Sequence, residues 1–577
     1  MKNLLNKIFL GIGLLSVLSC TVFDDPAPIF EEEVSSLEIN KRRVLLINVD
    51  GAVGEIVQEV MPPRIAALLA NSKYTFGGLS DANTNYASTW ASIAKGVPVS
   101  KHQITSDDFA VHTGDDESHE SIPYFPSFMY RLEEIKPHYK TSIVMRDENM
   151  AKELFNEVEN RHFFATDAEV ADYTENYLKT SKDMLTIVQL SSVMEAGRAT
   201  GFSGTNGDYT AAIQTVDGYI GQLVDAVKAR ETYADEEWLI IVQSNNGGSG
   251  LETGGGDFES KNIFVILNHP RFQPYEYVPH YLSGARFYKT SRSRTDYDAN
   301  GVEATNSTSY NMTGDEMTVE FFLKANEIYE SVSNTFVFGK AGITNQNNKT
   351  DEGWFILQRS KGTGVYVVMS DKTSLTTLDG FATPYTKGKW DHMAMTIKKT
   401  GTTVNRSMYS NGVLISSTDF TVAANATLNN TAPFRIQHGL EHNSFHNQDT
   451  ELSEIRIFNK ALTRADIERH ACLLELPESD PSYADLTGYY PLKEDFNNRI
   501  ATGPNLVQMG TAPLEHLPAT GVATFCDTDP RKVTVLTNID AAPLIFYWLR
   551  QRYETYGWST ADLLKPFELE FLGGDNN

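Results

Sequence analysis

The sequence predicts a multidomain chain in which a mostly parallel α/β domain accompanies an all-β sandwich. Three observations carry this. At 577 residues the chain is longer than one core can serve, so about two to four domains are expected. Strand and helix patterns alternate from Val44 to about residue 275, which implies a parallel sheet covered on both faces. From about residue 280, Thr, Ser, Asn and Gly rise and the strands alternate in polarity between frequent turns, the texture of a sandwich. Apolar content of 41% and charged content of 21% suit a globular protein. A formal net charge of −26 argues against nucleic acid as a partner, because phosphates demand basic patches.

Residues 1–20 place Lys2 and Lys7 ahead of an apolar run from Ile8 to Leu18. The run is too short to span a bilayer, so it reads as an export signal. Residues 21–40 are acidic, lack periodic apolar spacing and read as a tether. The first strong strand is VLLINVDG, Val44 to Gly51, and Pro62-Pro63 opens the helix RIAALLA. From Thr84 to His102 a polar turn leads into a helix around Trp90 to Ala94, closed near Gly96. Such a turn can hold a hydroxyl nucleophile where helix amides favour an anion. Strands follow at Thr141–Met145, Met184–Val193, Trp238–Gln243 and Asn262–Leu267, with helices at Ala168–Leu178 and Tyr209–Ala229. The stretch from Ile240 to Gly250, IIVQSNNGGSG, reads as an inner strand delivering Asn245 and Asn246 to the carboxyl edge of the sheet. Residues 473–530 show little regular pattern, and Val533–Leu549 returns to a strand-then-helix texture.

Several of these stretches resemble known families. Val17-Leu18-Ser19-Cys20 resembles a bacterial lipobox, which implies lipidation of Cys20; the alternative is a plain signal peptide or a short membrane anchor. Asp24 and Asp25 resemble the tag that sends Bacteroidetes-type lipoproteins to the outer face of the outer membrane. VLLINVDG, MPPRIAALL, the Thr84 turn and the SNNGG tip together resemble the type I phosphodiesterase/nucleotide pyrophosphatase branch of the alkaline phosphatase superfamily. NIDAAPLIFYWL resembles the segment that closes that domain. The resemblance implies a discontinuous α/β domain, 41–275 plus 530–577. The insert, 281–470, resembles a LamG/concanavalin A-like jelly roll through TVEFFLKA, Trp354, Trp390-Asp391-His392, the turn at Tyr409–Gly412 and LSEIRIFNKALT (Leu452–Thr463). Residues 471–529 are expected as a small accessory segment.

The chemistry implied by the first resemblance needs two zinc ions held by Asp and His. Asp50 matches the first-strand ligand and Thr84 the nucleophile, with Thr89 the second choice. The remaining ligands fail. The expected Asp-x-x-x-His falls on Met194 and Arg198, and a shift of one offers only Glu195. The expected Ser-Asp-His-Gly is Ser244-Asn245-Asn246-Gly247, and no His or Cys occurs between His162 and His269. Amides, a thioether and a cation are poor zinc ligands. Asp50 and Thr84 are therefore expected as vestiges that serve a turn and a cap. Alternatively Arg198, with Thr84, Asn245 and Asn246, forms an anion pocket without turnover. Against this stands a pairing of Arg198 with Glu195 or Asp50.

Elsewhere, His438, His442 and His446 suggest either a metal site or exposed loop histidines. Trp354 and Tyr366 suggest sugar stacking or core packing, and Glu454 a structural role. Cys472 and Cys526 form one disulfide or stay as two buried thiols. The expected function is an outer-membrane surface lipoprotein: an inactive phosphodiesterase-like scaffold carrying a lectin-like domain for a glycan or peptide. Its layout resembles accessories of SusC/SusD-type TonB-dependent nutrient uptake complexes. The alternatives are an active phosphoric-ester hydrolase using Thr84 with an altered metal site, and a purely structural pair of domains. No cofactor is expected; zinc belongs to the hydrolase alternative and calcium to the sandwich.

Overall fold

A computed structural model describes residues 41–111, 125–136, 139–287, 301–306, 308–325, 335–341, 352–359, 362–371, 373, 375–378, 380–381, 389–437, 449–493, 495–509, 515–517, 529–553, 556, 558 and 563–572. The lipobox with Cys20, the tether, Cys526, and the three histidines at 438, 442 and 446 lie outside them.

The α/β unit is built on eight strands: β1 (Arg42–Val49), β2 (Ser72–Leu79), β3 (Thr141–Met145), β4 (Asn160–Phe163), β5 (Leu185–Leu190), β6 (Glu237–Ser244), β7 (Asn262–Asn268) and β8 (Tyr275–Glu276). They lie in the order β4-β3-β5-β1-β6-β7-β2-β8. The five from β4 to β6 are mutually parallel, whereas β7 runs against β6 and β2 against β7. The reversal at β7 follows from its connection. The connection from Ser244 to Asn262 carries only the four-residue helix Phe258–Lys261, which at about 1.5 Å per residue is too short to run back along the strand as a parallel return requires.

The continuous apolar run of β1 is explained by burial on both faces. Val44 and Leu46 point into one core, Leu45 and Ile47 into the other. The first core holds helix Tyr86–Lys95 and helix Ala541–Trp548; the second holds helices Asp167–Thr180 and Gly207–Lys228. The C-terminal segment thus returns to the sheet where the chain began. Leu79 donates its amide to the Leu536 carbonyl at 3.0 Å, and Arg42 donates to the Trp548 carbonyl at 2.8 Å. Burying the apolar helix Ala541–Trp548 in the first core ties the two parts of the unit together.

Between them sits an antiparallel sandwich. One sheet runs Leu375–Thr377, Gly362–Ser370, Gly353–Arg359, Thr335–Ala341, Arg435–Ile436, Gly301–Ala304 and Leu506–Met509. The other runs Val413–Thr421, Thr403–Ser410, Trp390–Thr400, Glu316–Ala325, Thr450–Phe458, Gly284–Phe287 and Glu515–Leu517. Trp354, fully buried, joins the shared core and is closed to any sugar; the Tyr366 side chain lies outside the described residues. The segment 471–529 differs from its expectation as an accessory piece. Leu486–Tyr490 pairs with Thr450–Phe458, Leu506–Met509 with Gly301–Ala304, and Glu515–Leu517 with Gly284–Phe287. These strands are too short to show a period of two in the sequence, which is why the sandwich extends past residue 470 unannounced. Cys472 is disulfide-bonded, and its partner lies outside the described residues. Among the described residues no helix is long and apolar enough to cross a membrane.

Candidate functional site

At the carboxyl end of β1, Asp50 is completely buried. Its Oδ1 accepts from Asn48 Nδ2 and Trp90 Nε1, both at 2.9 Å. Its Oδ2 accepts from Gln189 Nε2 at 2.7 Å and Ser191 Oγ at 2.8 Å. An ionised carboxylate has about four lone-pair sites, so this set of donors uses all of them. Burial pushes the carboxyl up to about 7, against the pull of Ser191, Gln189 and Trp90. The parallel register explains how the donors arrive: Asn48 lies beside Gln189 on one side and Gln243 on the other, one layer of amides across β5, β1 and β6.

The adjoining positions are engaged in turn, although Asn246 Oδ1 has no hydrogen-bond partner among the described residues. Gly51 has φ of +70°, and a Cβ there would fall 2.7 Å from Cβ of Met194, so Met194 packs against the turn itself. Asn245, with no exposure, accepts from the Gly51 amide at 3.2 Å and donates to Thr89 Oγ1 at 3.2 Å. Asn538, from the closing segment, donates to the Asn245 carbonyl at 3.1 Å. Asn246 donates to the Gly247 carbonyl at 2.6 Å. Helix Tyr86–Lys95 begins at Asn85, whose side chain caps the Ser88 amide, so Thr84 stands outside the helix. The Thr84 hydroxyl is buried and donates to the Gly255 carbonyl at 2.6 Å. Thr89 is bonded back to the Asn85 carbonyl at 3.0 Å.

Above Asp50 opens a cleft of about 500 Å³, lined among others by Tyr86, Arg146, Asp147, Gln189, Glu195 and Arg198. Its floor is a chain of hydrogen bonds: Gln189 Nε2 donates to the Tyr86 hydroxyl at 2.7 Å, and that hydroxyl donates to Asp147 at 3.0 Å. Arg198 is exposed and donates to Thr253 Oγ1 at 2.8 Å. The pairing expected of it with Glu195 or Asp50 is not what forms: Glu195 pairs with Arg146 at 2.7 Å, and Asp50 keeps its neutral donors. Thr84, Arg198, Asn245 and Asn246 are not brought together. The three buried side chains turn to backbone and neighbour groups, and none of them lines the cleft that Arg198 rims.

The zinc pair implied by the sequence resemblance does not fit these residues. Asp50 would have to give up hydrogen bonds to coordinate, and the neighbouring positions offer amides, a thioether and an engaged guanidinium. Among the described residues no group of three or more His, Cys, Asp or Glu could hold a metal. Nearby, Ser92, His102 and Asp81 form a set that looks catalytic in composition. Yet the Ser92 hydroxyl donates to Asp81 at 2.7 Å while His102 Nδ1 accepts the Ile104 amide at 3.0 Å. Burial pushes His102 down to about 4. This is a structural clasp, with the serine proton held by the carboxylate.

Sequence reading singled out Asp50, Thr84 and the two asparagines but missed the groups that hold them, namely Asn48, Gln189, Ser191 and Asn538. Gln189 near the end of β5 and Ser191 just past it are buried and polar, which was a readable signal at the end of an apolar run.

Residues 297–468 match the family model described as the concanavalin A-like lectin/glucanases superfamily. The chain carries a lectin-like domain. No curated protein matches the sequence. Among solved structures, a 2-O GAG sulfatase is similar at 9% identity, covering 41% of this chain and 65% of that one, with a TM-score of 0.32. Murine ectonucleotide pyrophosphatase/phosphodiesterase 5 is similar at 12% identity, covering 36% and 57%, with a TM-score of 0.29. A protein in the alkaline phosphatase superfamily from Vibrio parahaemolyticus is similar at 13% identity, covering 41% and 61%, with a TM-score of 0.30. The chain spans less than two thirds of each of these proteins, and likeness at this level carries no inference about chemistry.

Proposed function

We propose that this chain is a surface lipoprotein whose α/β unit is a scaffold without hydrolytic turnover and whose sandwich binds a glycan or peptide. One observation carries the first half: the Asp50 carboxylate is saturated by Asn48, Trp90, Gln189 and Ser191, so the residues that would organise a metal are committed to one another. The match to a lectin-like family over 297–468 supports the second half. A lipid anchor at Cys20, an outward-facing place on the outer membrane and a role beside a SusC/SusD-type transporter rest on the lipobox, the acidic residues after it and the layout.

The purified chain is to be incubated with p-nitrophenyl phosphodiesters and monoesters, alongside Thr84→Ala. The proposal expects equal background rates for the two proteins. Turnover that depends on Thr84 contradicts it and restores the hydrolase reading.

A further inference from the structure

We propose that the cleft above Asp50 binds an organic cation, an ammonium or guanidinium group carried by a peptide side chain or a small amine. The inference goes beyond the scaffold reading, which gives the α/β unit no ligand of its own. The cleft holds about 500 Å³, within the roughly 300–1,000 Å³ of ligand pockets. It lies at the carboxyl ends of the parallel strands β1, β3 and β5, where open α/β sheets place their ligands.

Hydrogen bonding decides the sign of the ligand. The donors on the cleft floor are spent. Gln189 Nε2 donates to Asp50 and to the Tyr86 hydroxyl, the Ser191 hydroxyl donates to Asp50, and the Tyr86 hydroxyl donates to Asp147. The Arg146 guanidinium is spread over the Ala165 carbonyl at 3.0 Å, Asp167 at 3.5 Å and Glu195 at 2.7 Å. Acceptors remain. Asp107 is exposed, and its carboxylate has no partner among the described residues. Asp147 accepts from neutral groups, the Tyr86 hydroxyl at 3.0 Å and the Met150 amide at 2.9 Å. An anion would meet these two carboxylates with Arg198 at the rim as its one uncompensated cation; a ligand cation meets the reverse. Burial, and then the charges of Asp50 and Asp147, hold the Tyr86 hydroxyl well above its ordinary range, as a negative field at this spot requires.

The walls suit the same ligand. Tyr86, Phe109 and Phe164 line the cleft, and Tyr86 and Phe164 are only half-buried, so their rings are open to a ligand. The rings of Tyr86 and Phe109 meet edge to face with centroids 6.4 Å apart, a corner in which a cation can lie over a π face. Among the described residues no three His, Cys, Asp or Glu converge as metal ligands do, so the charge to be matched is that of an organic group. Asp147 is fixed by capping helix Glu148–Leu154 and by Tyr86, and an acceptor already in place spares the cost of ordering it.

The test is isothermal titration of the full chain at low ionic strength with N-acetyl-arginine methylamide, N-acetyl-lysine methylamide and choline. N-acetyl-norleucine methylamide serves as the neutral match and inorganic phosphate as the anion. At least one cation is expected to bind saturably, and the neutral match and phosphate are not. Binding of the amino-acid amides alone marks a peptide side chain as the source, and binding of choline alone a small amine. Asp107→Asn and Asp147→Asn should each weaken binding roughly threefold to tenfold, the worth of one lost hydrogen bond. Ala165→Trp, which sets an indole into the cleft from an exposed position, should abolish it. Asn caps a helix as Asp does, so Asp147→Asn keeps the fold, and thermal melts check each variant. Arg198→Ala should tighten cation binding, because it removes a like charge from the rim. The proposal is overturned by the absence of saturable cation binding, by equal binding of the norleucine amide, or by an affinity unchanged in Asp107→Asn, Asp147→Asn and Ala165→Trp alike. Phosphate binding that disappears in Arg198→Ala overturns it as well. These outcomes are read without turnover, so the scaffold reading stands or falls by its own Thr84 assay.

Discussion

Asp50 explains most about the α/β unit. A buried carboxylate without a cation is costly unless its lone pairs are filled, and here four neutral donors fill them. Burial still dominates and raises the group to about 7 from 3.8. The folded state therefore binds this proton more tightly than the unfolded chain. Its contribution is fully present below pH of about 4 and is lost as pH rises through about 7. Asp540, buried at the start of the closing helix, is likewise pushed up to about 7 and acts in the same direction. Chemical denaturation across this window should show stability falling with pH, with a shallower slope in Asp50→Asn; an unchanged slope contradicts the account. The same variant should cost roughly 1–3 kcal/mol, because an amide cannot accept from all four donors. Asp50, Asn245 and Asn246 were readable in the sequence because polar residues at the ends of apolar runs stand out, and Thr84 because it opens a polar turn into a helix and fits the spacing of the resemblance. Arg198 was placed wrongly because side-chain pairing across loops has no periodic signature: Glu195, its expected partner, went to Arg146.

Among the elements, the sandwich rests on a buried ionic network that no single stretch announces. Arg456, with no exposure, pairs with Glu454 at 2.7 Å and Glu320 at 3.5 Å. Glu320 also bonds His470 Nδ1 at 2.6 Å, which pins helix Arg464–His470 onto the outer face of the sheet. Burial raises Glu320, but His392, His470 and Arg456 outweigh it and hold the carboxyl far below the ordinary range. The sign is opposite to that of Asp50: this stabilisation is present above the ordinary carboxylate range and is lost as pH falls below it. Arg456→Met should destabilise the sandwich by roughly 3–5 kcal/mol, since it removes the guanidinium that two buried carboxylates share and leaves Glu320 to His470 and Glu454 to Lys493. A melt of that variant within 1 °C of the wild type contradicts this. Glu454 was expected as structural from its place in LSEIRIFNKALT, but Glu320, His392 and His470 come from three distant stretches: antiparallel pairing brings His392 beside Glu320, and the helix Arg464–His470 packs His470 onto it.

Across the whole molecule, patterning predicts an α/β unit and a sandwich, and the resemblance of NIDAAPLIFYWL to a closing segment predicts the sandwich as an insert between two parts of that unit, which is the arrangement found. The long parallel strands were legible because burial on both faces makes them continuous apolar runs, as in β1. The short strands within 486–517 were not, because four or five residues carry too little alternation to distinguish them from loop. We propose that the α/β unit is a scaffold whose Asp50 is withheld from metal by its own hydrogen bonds. The most direct measurement is native mass spectrometry of the purified chain after equilibration with excess zinc and removal of loosely held ions. The account predicts the mass of the metal-free protein. Two retained zinc ions per chain, lost in Asp50→Ala, contradict it.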